Sequence, residues 1–156
     1  MEKTNVMRVL EQKKINYIGY DYSDSDAISG VEIAAELKED PDKVFKTLVT
    51  VGKSKRNYVF MIPVAEELDL KKAAKAVGEK SIEMIKSKEL LPLTGYIHGG
   101  CSPIGMKKFF QTTVHKTAQR YETIFFSAGK IGYQVEVKPA DLERVIRLSY
   151  EDLIVE

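Results

Sequence analysis

Residues 123–137 read TIFFSAGKIGYQVEV and have the clearest β-hairpin pattern in the chain. Two apolar runs, rich in aromatic and β-branched residues, are joined through Ser-Ala-Gly-Lys, and this arrangement predicts two strands connected by a short turn. Upstream, KTLVTV at 46–51 and YVFMIPV at 58–64 flank the turn-forming GKSKRN, which predicts a second hairpin. Helical patterns separate the strands. The sequence therefore predicts an α+β (mixed) fold built around one largely antiparallel sheet.

Helix boundaries are predicted from residues with capping or helix-breaking roles. Residues 4–13 have the apolar spacing of an amphipathic helix, and Ser29 opens a second helix with capping-box spacing. Gly78 is placed to end a third helix, because a left-handed residue commonly follows a helix. A short helix is predicted to stop before Pro92, and Pro139 is predicted to start the last one.

Length and composition exclude several classes of protein. The chain has 156 residues, which fits one domain over residues 1–156. Lys and Arg number 24 and Asp and Glu 23, so the formal net charge of +1 excludes a polycation and an acidic tail. The one cysteine excludes an internal disulfide and a multi-cysteine metal site. With no leader-like start and no run near the ~20 apolar residues of a membrane span, we expect a cytoplasmic protein with no membrane partner.

Familiar catalytic motifs are absent from the sequence. It contains no Walker A motif, no G-x-G-x-x-G, no G-x-S-x-G and no EF-hand loop, so nucleotide hydrolysis and dinucleotide redox chemistry have no support. A nucleophilic pair of Cys101 and His98 is a weaker interpretation than a small buried thiol. A zinc site at His98, Cys101 and His115 would lack a fourth protein ligand, so no metal and no cofactor are expected.

Two local features remain as candidates for chemistry. Lys46 stands where a helical turn meets a strand, and a lysine there can point its ammonium into a cleft or lie along the surface. The loop GGCSPIG at 99–105 contains three glycines, so its backbone can approach a ligand or form a structural turn. Residues 43–58 and 103–130 carry five Lys or Arg each against one acid, Glu122, which favours phosphate contacts if both segments line one face.

Four segments together resemble the YbaK/EbsC family. They are VFKTLVTV (44–51), IPVAEELDLKKAAKAVGEKSIEMI (62–85), TGYIHGGCSPIGMKK (94–108) and FSAGKIGYQVEVKPADL (126–142), in the family's order and at its spacing. The likeness extends from about Asn5 to Ile154. This family is similar to the editing domain inserted in bacterial prolyl-tRNA synthetases and includes deacylases that act in trans. The resemblance implies a mixed, partly barrel-like sheet surrounded by helices.

The resemblance also implies a function and a site. The G-G-x-S-P-x-G loop is similar to that of family members that deacylate Cys-tRNA(Pro), where the thiol of the substrate is the nucleophile. Lys46 would be the key cation at the terminal adenosine or the ester. Gly100, Cys101 and Ser102 would bring groups to the aminoacyl moiety. The remaining residues of the implied substrate pocket are Tyr20, Thr47, Gly99, Gly105, Ser127, Gly129 and Gln134.

Two positions depart from the family's pattern. Ser29 stands where many relatives have an aromatic residue, and Gln134 stands where a carboxylate is frequent. Three interpretations therefore stay open: a Cys-tRNA(Pro) and Cys-tRNA(Cys) deacylase, a deacylase for another charged tRNA such as Ala- or Ser-tRNA with water as nucleophile, and a non-catalytic module that binds a tRNA end or a synthetase. The expected partner is the 3′ end of an aminoacyl-tRNA, and the resemblance adds prolyl-tRNA synthetase as a second partner.

Overall fold

The fold is that of a computed structural model, which describes residues 1–25, 27 and 29–156. The helices are α1 (Asn5–Gln12), α2 (Gly30–Glu36), α3 (Leu70–Val77), α4 (Ser87–Thr94) and α5 (Pro139–Leu142). The strands are β1 (Ile18–Asp21), β2 (Phe45–Gly52), β3 (Asn57–Pro63), β4 (Ile82–Met84), β5 (Gln111–His115), β6 (Ile124–Ser127), β7 (Tyr133–Val137) and β8 (Leu148–Glu151). Within the described residues, no helix has both the length and the apolar character needed to cross a membrane.

The strands form two sheets and not the one largely antiparallel sheet expected from the sequence pattern. β1, β7 and β6 make a small antiparallel sheet in that order. The larger sheet has the order β4-β2-β3-β5-β8, in which β2 pairs antiparallel with β3 and β4, and β5 pairs parallel with β3 and β8. A parallel bridge between Val44 and Phe125 joins the sheets. The predicted α+β fold with a mixed sheet is confirmed. The predicted antiparallel pairing holds for the small sheet and for β4, β2 and β3, but not for β5, which pairs parallel with β3 and β8.

The hairpin and capping predictions are confirmed. β6 and β7 pair antiparallel with Ser127 opposite Gln134, and β2 pairs with β3 across the predicted turn. The Ser29 hydroxyl accepts a hydrogen bond from the Glu32 N–H, and the Ser29 N–H donates to the Glu32 carboxylate, which is the predicted capping box. Gly78 ends α3 in the left-handed conformation at φ 74°.

Helix α4 runs through Pro92 instead of ending before it. A proline has no N–H to donate to the carbonyl four residues back, so that hydrogen bond is lost inside the helix. Other contacts hold the last turn, because Thr94 Oγ1 donates to the Leu90 carbonyl and the Gly95 N–H donates to the Leu91 carbonyl, each at 2.8 Å. These bonds continue the helix to Thr94, with Gly95 as its C-cap.

The small sheet separates the main hydrophobic core from a second, more polar face. Alternate residues of β6 and β7, among them Phe126 and Val135, pack with α1 in that core. The residues between them point to the opposite face, because side chains alternate along a strand. Phe125, Ser127 and Gln134 therefore lie together on the face that looks toward β2.

Candidate functional site

A cavity of about 590 Å³ lies where the two sheets meet. Its walls come from the first half of β2, the facing sides of β6 and β7, the start of α2, the connection from β4 to α4, and the glycine-rich loop. Six residues that the sequence proposed for the site line it: Lys46, Thr47, Gly99, Cys101, Ser127 and Gln134. Five others do not: Tyr20, Gly100, Ser102, Gly105 and Gly129. The volume is that of an ordinary small-molecule site.

One wall of the cavity is an open stretch of strand β2. On the edge of β2 that faces away from β3, Val44 forms a bridge to Phe125 just before this stretch. Pairing with β4 begins only after it, at Thr50. The Val49 carbonyl accepts from the Ile85 N–H at 3.3 Å on the same side. Backbone groups of alternate residues in an antiparallel strand point the same way, so the N–H and C=O of Thr47 face the gap. The strand therefore offers a main-chain donor and a main-chain acceptor to a ligand.

Lys46 brings a positive charge to this wall. The residue is half-buried and lies opposite Ile62 on β3. Burial lowers the pKa of its ammonium, and the carboxylates of Glu67 and Glu66 raise it in part. Among the described residues, Lys46 has no ion-pair partner, and no lining residue is Asp or Glu. A cation among described lining residues that include no acid favours a phosphate or a strongly polar ester group.

The glycine-rich loop faces the cavity with only part of its length. Gly99 and Cys101 line the cavity, whereas Gly100 is buried, and a Cβ on it would lie 3.2 Å from a main-chain nitrogen of the β6–β7 turn. Ser102 is fully buried, and its Oγ accepts from the Ile104 N–H at 3.3 Å. Gly100 and Ser102 therefore anchor the loop, and Gly99 and Cys101 are the parts that can meet a ligand.

The Cys101 thiol is poorly suited to act as a nucleophile. Burial raises its pKa to about 12, so it stays protonated at neutral pH. His98 lines the same cavity, but the buried His115 lies on β5, where its Nδ1 accepts from the Leu153 N–H at 3.1 Å. In the described parts of the chain, no three His, Cys, Asp or Glu side chains form a group that could hold a metal ion.

Tyr20, Gln134 and Ser127 stand in one row across the small sheet. Gln134 and Ser127 line the cavity, whereas the Tyr20 ring packs against Phe125 with ring centroids 5.5 Å apart. The Tyr20 hydroxyl donates to Glu136 at 2.7 Å. Burial, with this hydrogen bond as the second cause, raises the pKa of Tyr20 to about 12. Tyr20 therefore packs beside the cavity, on the same face of the small sheet as Gln134 and Ser127, without lining it.

Tyr96 holds the glycine-rich loop against the β6–β7 turn, a role that no sequence pattern indicated. Its hydroxyl donates to the Ile104 carbonyl, and burial raises its pKa to about 12. Gly105 and Gly129 both have positive φ and approach the same side chain. A Cβ on Gly105 would lie 2.9 Å from Tyr96 Oη, and one on Gly129 would lie 3.0 Å from Tyr96 Cε1. Both glycines therefore serve the packing of the loop and not the cavity surface.

A further wall of the cavity was also missed from the sequence. It runs from the end of β4 into α4, and Met84, Lys86 and Leu90 line the cavity from this segment. Lys86 is exposed and adds a second cation at the rim. The local sequence pattern of this segment indicates a strand and a helix. Their position beside the cavity depends on the pairing of β4 with Thr50 to Gly52 of β2, and the local sequence does not predict this long-range contact.

Two buried polar atoms of the cavity have no hydrogen-bond partner among the described residues. They are Thr47 Oγ1 and Gln134 Oε1. An unpaired buried polar group is destabilising by about 1–3 kcal/mol. Most buried polar groups in native proteins are paired, so a ligand in this cavity would find a free hydrogen-bond partner at each of these two atoms.

Comparison with known proteins identifies relatives of the chain. Residues 25–145 match the family model described as Aminoacyl-tRNA editing domain. The chain is 50% identical over 139 residues to a protein of Enterococcus faecalis that bears the provisional name Cys-tRNA(Pro)/Cys-tRNA(Cys) deacylase EbsC. This match covers 88% of the chain and 85% of that protein.

Two solved structures are similar in fold. One, provisionally described as a trans-editing enzyme for prolyl tRNA synthetase, is 20% identical with a TM-score of 0.83, over 99% of this chain and 100% of that chain. The other, hypothetical protein APE2540, is 18% identical with a TM-score of 0.88, over 97% of this chain and 100% of that chain. At these identities the likeness shows the fold alone.

Proposed function

Because this chain belongs to the aminoacyl-tRNA editing domain family, we propose that it deacylates mischarged Cys-tRNA(Pro), and also Cys-tRNA(Cys), in trans. The family resemblance expected from the sequence is confirmed. One observation carries the proposal: Lys46, the open edge of β2 and the loop residues Gly99 and Cys101 meet in one cavity, where burial keeps the Cys101 thiol protonated and so unsuited to act as a nucleophile. The name of the Enterococcus faecalis relative supports the choice of amino acid.

The proposed reaction needs no protein nucleophile because the cysteinyl group carries its own thiol. The substrate sulfur forms a bond to the ester carbonyl carbon, the bond from that carbon to the ribose oxygen breaks, and the thiol proton passes to the ribose oxygen. The products are a cyclic thiolactone and a tRNA with a free terminal hydroxyl. The protein holds sulfur and carbonyl at a near-attack distance, and such positioning can supply a large part of the acceleration.

Lys46 and the Thr47 N–H are the proposed stabilisers of the oxyanion that develops on the ester. Charged and main-chain donors act strongly on developing charge in a cavity shielded from water. Burial lowers the pKa of Lys46, and the nearby carboxylates of Glu67 and Glu66 offset this in part, which favours the charged ammonium that the role requires. The Cys101 thiol, whose pKa burial raises, would take no part as a nucleophile.

The tRNA end is proposed to enter at the rim of the cavity, where Lys86, His98 and Gly99 are exposed. Lysine side chains contact phosphates without regard to base sequence, which suits the common 3′ end of tRNA. We further propose that prolyl-tRNA synthetase is the source of the mischarged tRNA and that the reaction takes place in the cytoplasm. Family membership and the proposed substrate support both.

Deacylation of a panel of charged tRNAs tests the proposed function. We expect the protein to accelerate release of cysteine from Cys-tRNA(Pro) at least about tenfold more than release of alanine or serine from the same tRNA, because alanine has no side-chain nucleophile and the serine hydroxyl is a much weaker one than a thiol. Greater acceleration for alanine or serine would assign the protein to a different editing specificity. Tight tRNA binding with no deacylation of any ester would identify a non-catalytic module.

A further inference from the structure

The buried end of the cavity contains a hydrogen-bond acceptor that the proposed reaction does not use. Gln134 on β7 is 5% exposed and lines the cavity, and its Oε1 has no partner within residues 1–25, 27 and 29–156. Its amide lies beside Tyr22. Burial raises the pKa of Tyr22, and a side-chain hydrogen bond with Gln134 lowers it in part. The neighbouring Ser127 is 9% exposed and already bonded, because its Oγ accepts from the Gly129 N–H at 3.1 Å.

An amide oxygen can only accept hydrogen bonds, so its partner must be a donor group of the ligand. The other unpaired atom of the cavity, Thr47 Oγ1, belongs to a hydroxyl that can either donate or accept. Thr47 therefore places no such condition on the ligand. A ligand that fills the cavity without a donor at this point leaves Gln134 Oε1 cut off from water and unpaired, which is unfavourable.

The position of Gln134 indicates which part of a charged tRNA it meets. Lys86, His98 and Gly99 form the exposed rim, whereas Gln134 and Ser127 lie at the buried end. A charged tRNA enters by its acylated end, so the aminoacyl group reaches the buried end while the phosphates stay near the rim. A cysteinyl group has two donors, the α-amino group and the thiol, and a thiol is a weak donor.

We propose that Gln134 Oε1 binds the free α-amino group of the aminoacyl ester and makes the site selective for esters that have one. This inference rests on the proposed deacylase function. The described lining residues include Lys46 and Lys86 and no acid. The amino group is expected to bind uncharged, because an ammonium would add a third cation beside Lys46 and Lys86, and none of the described lining residues is a carboxylate. Esters without an α-amino group leave Oε1 unpaired and are poor substrates.

Deacylation of Cys-tRNA(Pro) and 3-mercaptopropionyl-tRNA(Pro) tests this inference, because the two esters share the thiol and differ in the α-amino group. Each rate is divided by the uncatalysed rate of the same ester, since the amino group also changes the reactivity of the ester itself. We expect the protein to prefer the cysteinyl ester in kcat/KM by about 10- to 100-fold, because the analogue lacks the donor that a buried acceptor requires.

Two variants of Gln134 and one control sharpen the test. Gln134→Met removes the acceptor at similar volume and is expected to bring the preference close to one by slowing the cysteinyl ester. Gln134→Glu keeps an acceptor, so it is expected to keep the preference and to extend activity to lower pH, because a carboxylate favours the protonated amine. Thr113 is the matched control, since its Oγ1 on β5 is also buried and unpaired but does not line the cavity. Thr113→Val is expected to leave the preference unchanged.

The outcomes separate the inference from the proposed function. If the wild-type protein accelerates the two esters equally, the proposed role of Gln134 is overturned. This comparison needs no variant. An unchanged preference in a folded Gln134→Met protein, judged by thermal unfolding, would also overturn this role. No acceleration with Cys-tRNA(Pro) would overturn the deacylase function instead.

Discussion

Replacement of Lys46 by methionine is expected to lower kcat/KM for Cys-tRNA(Pro) about 100-fold or more, the usual effect of removing a donor from an oxyanion site. Methionine keeps the half-buried aliphatic part of the side chain and removes the ammonium. Because burial already disfavours the charge and Lys46 has no ion-pair partner among the described residues, the variant is expected to stay folded. Single-turnover deacylation and thermal unfolding measure the two effects separately.

Lys53 supplies the matched control for this experiment. It lies exposed in the turn between β2 and β3 and does not line the cavity. Lys53→Met removes the same charge from the same hairpin and is expected to leave kcat/KM within about twofold of wild type, because exposed charges act weakly at a distance. If Lys53→Met and Lys46→Met lower kcat/KM equally, Lys46 acts only through general electrostatic attraction of the tRNA and not at the ester.

Substitution of Gly100 by valine is expected to lower deacylation about 100-fold through displacement of the loop, since a shift near 1 Å can cost that much in rate. A Cβ on Gly100 would lie 3.2 Å from the Ile131 nitrogen and 3.4 Å from the Lys130 carbonyl carbon, and the γ carbons of valine add further overlap. These neighbours are main-chain atoms, which cannot turn aside as a flexible side chain does. The loop must therefore move and carry Gly99 and Cys101 with it.

A graded series separates this effect from a general loss of stability. Gly100→Ala introduces the Cβ alone and is expected to fall between wild type and Gly100→Val in rate. Gly78→Ala is the control, because Gly78 has φ 74° and no atom within 4 Å of its Cβ position, far along the chain from the loop. It is expected to lower the melting temperature and to leave the rate unchanged below it. A wild-type rate for Gly100→Val would show that the packing of the loop does not set the geometry of the cavity.

Local signals in the sequence predicted the elements whose structure depends on neighbours along the chain. The β6–β7 hairpin, the capping box at Ser29 and the left-handed end of α3 at Gly78 were each predicted from a few adjacent residues. The parallel pairing of β5 with β3 and β8 was not, because these partners are separated by several intervening elements. Pairing over that distance depends on which faces must be buried, and the local pattern does not contain this information.

For the site, the sequence predicted the right segments of the chain. It did not predict which residues of those segments face the cavity and which pack into the protein. The family resemblance singled out the loop GGCSPIG, and Gly99 and Cys101 from it line the cavity, while Gly100 and Ser102 pack into the protein. A glycine signals that the backbone makes a close approach, but not whether it approaches a ligand or another strand. Tyr96 was missed for a related reason, since its contact with the Ile104 carbonyl exists only after the loop has folded back.

The most direct measurement compares Cys-tRNA(Pro) with S-methylcysteinyl-tRNA(Pro) as substrates of the wild-type protein. The two esters have the same α-amino group and nearly the same shape, but methylation blocks the sulfur as a nucleophile. The proposed mechanism predicts rapid deacylation of the cysteinyl ester with a thiolactone as the first product, and no acceleration for the S-methyl ester. Equal acceleration of both esters would contradict it, because water and not the substrate thiol would then attack the carbonyl.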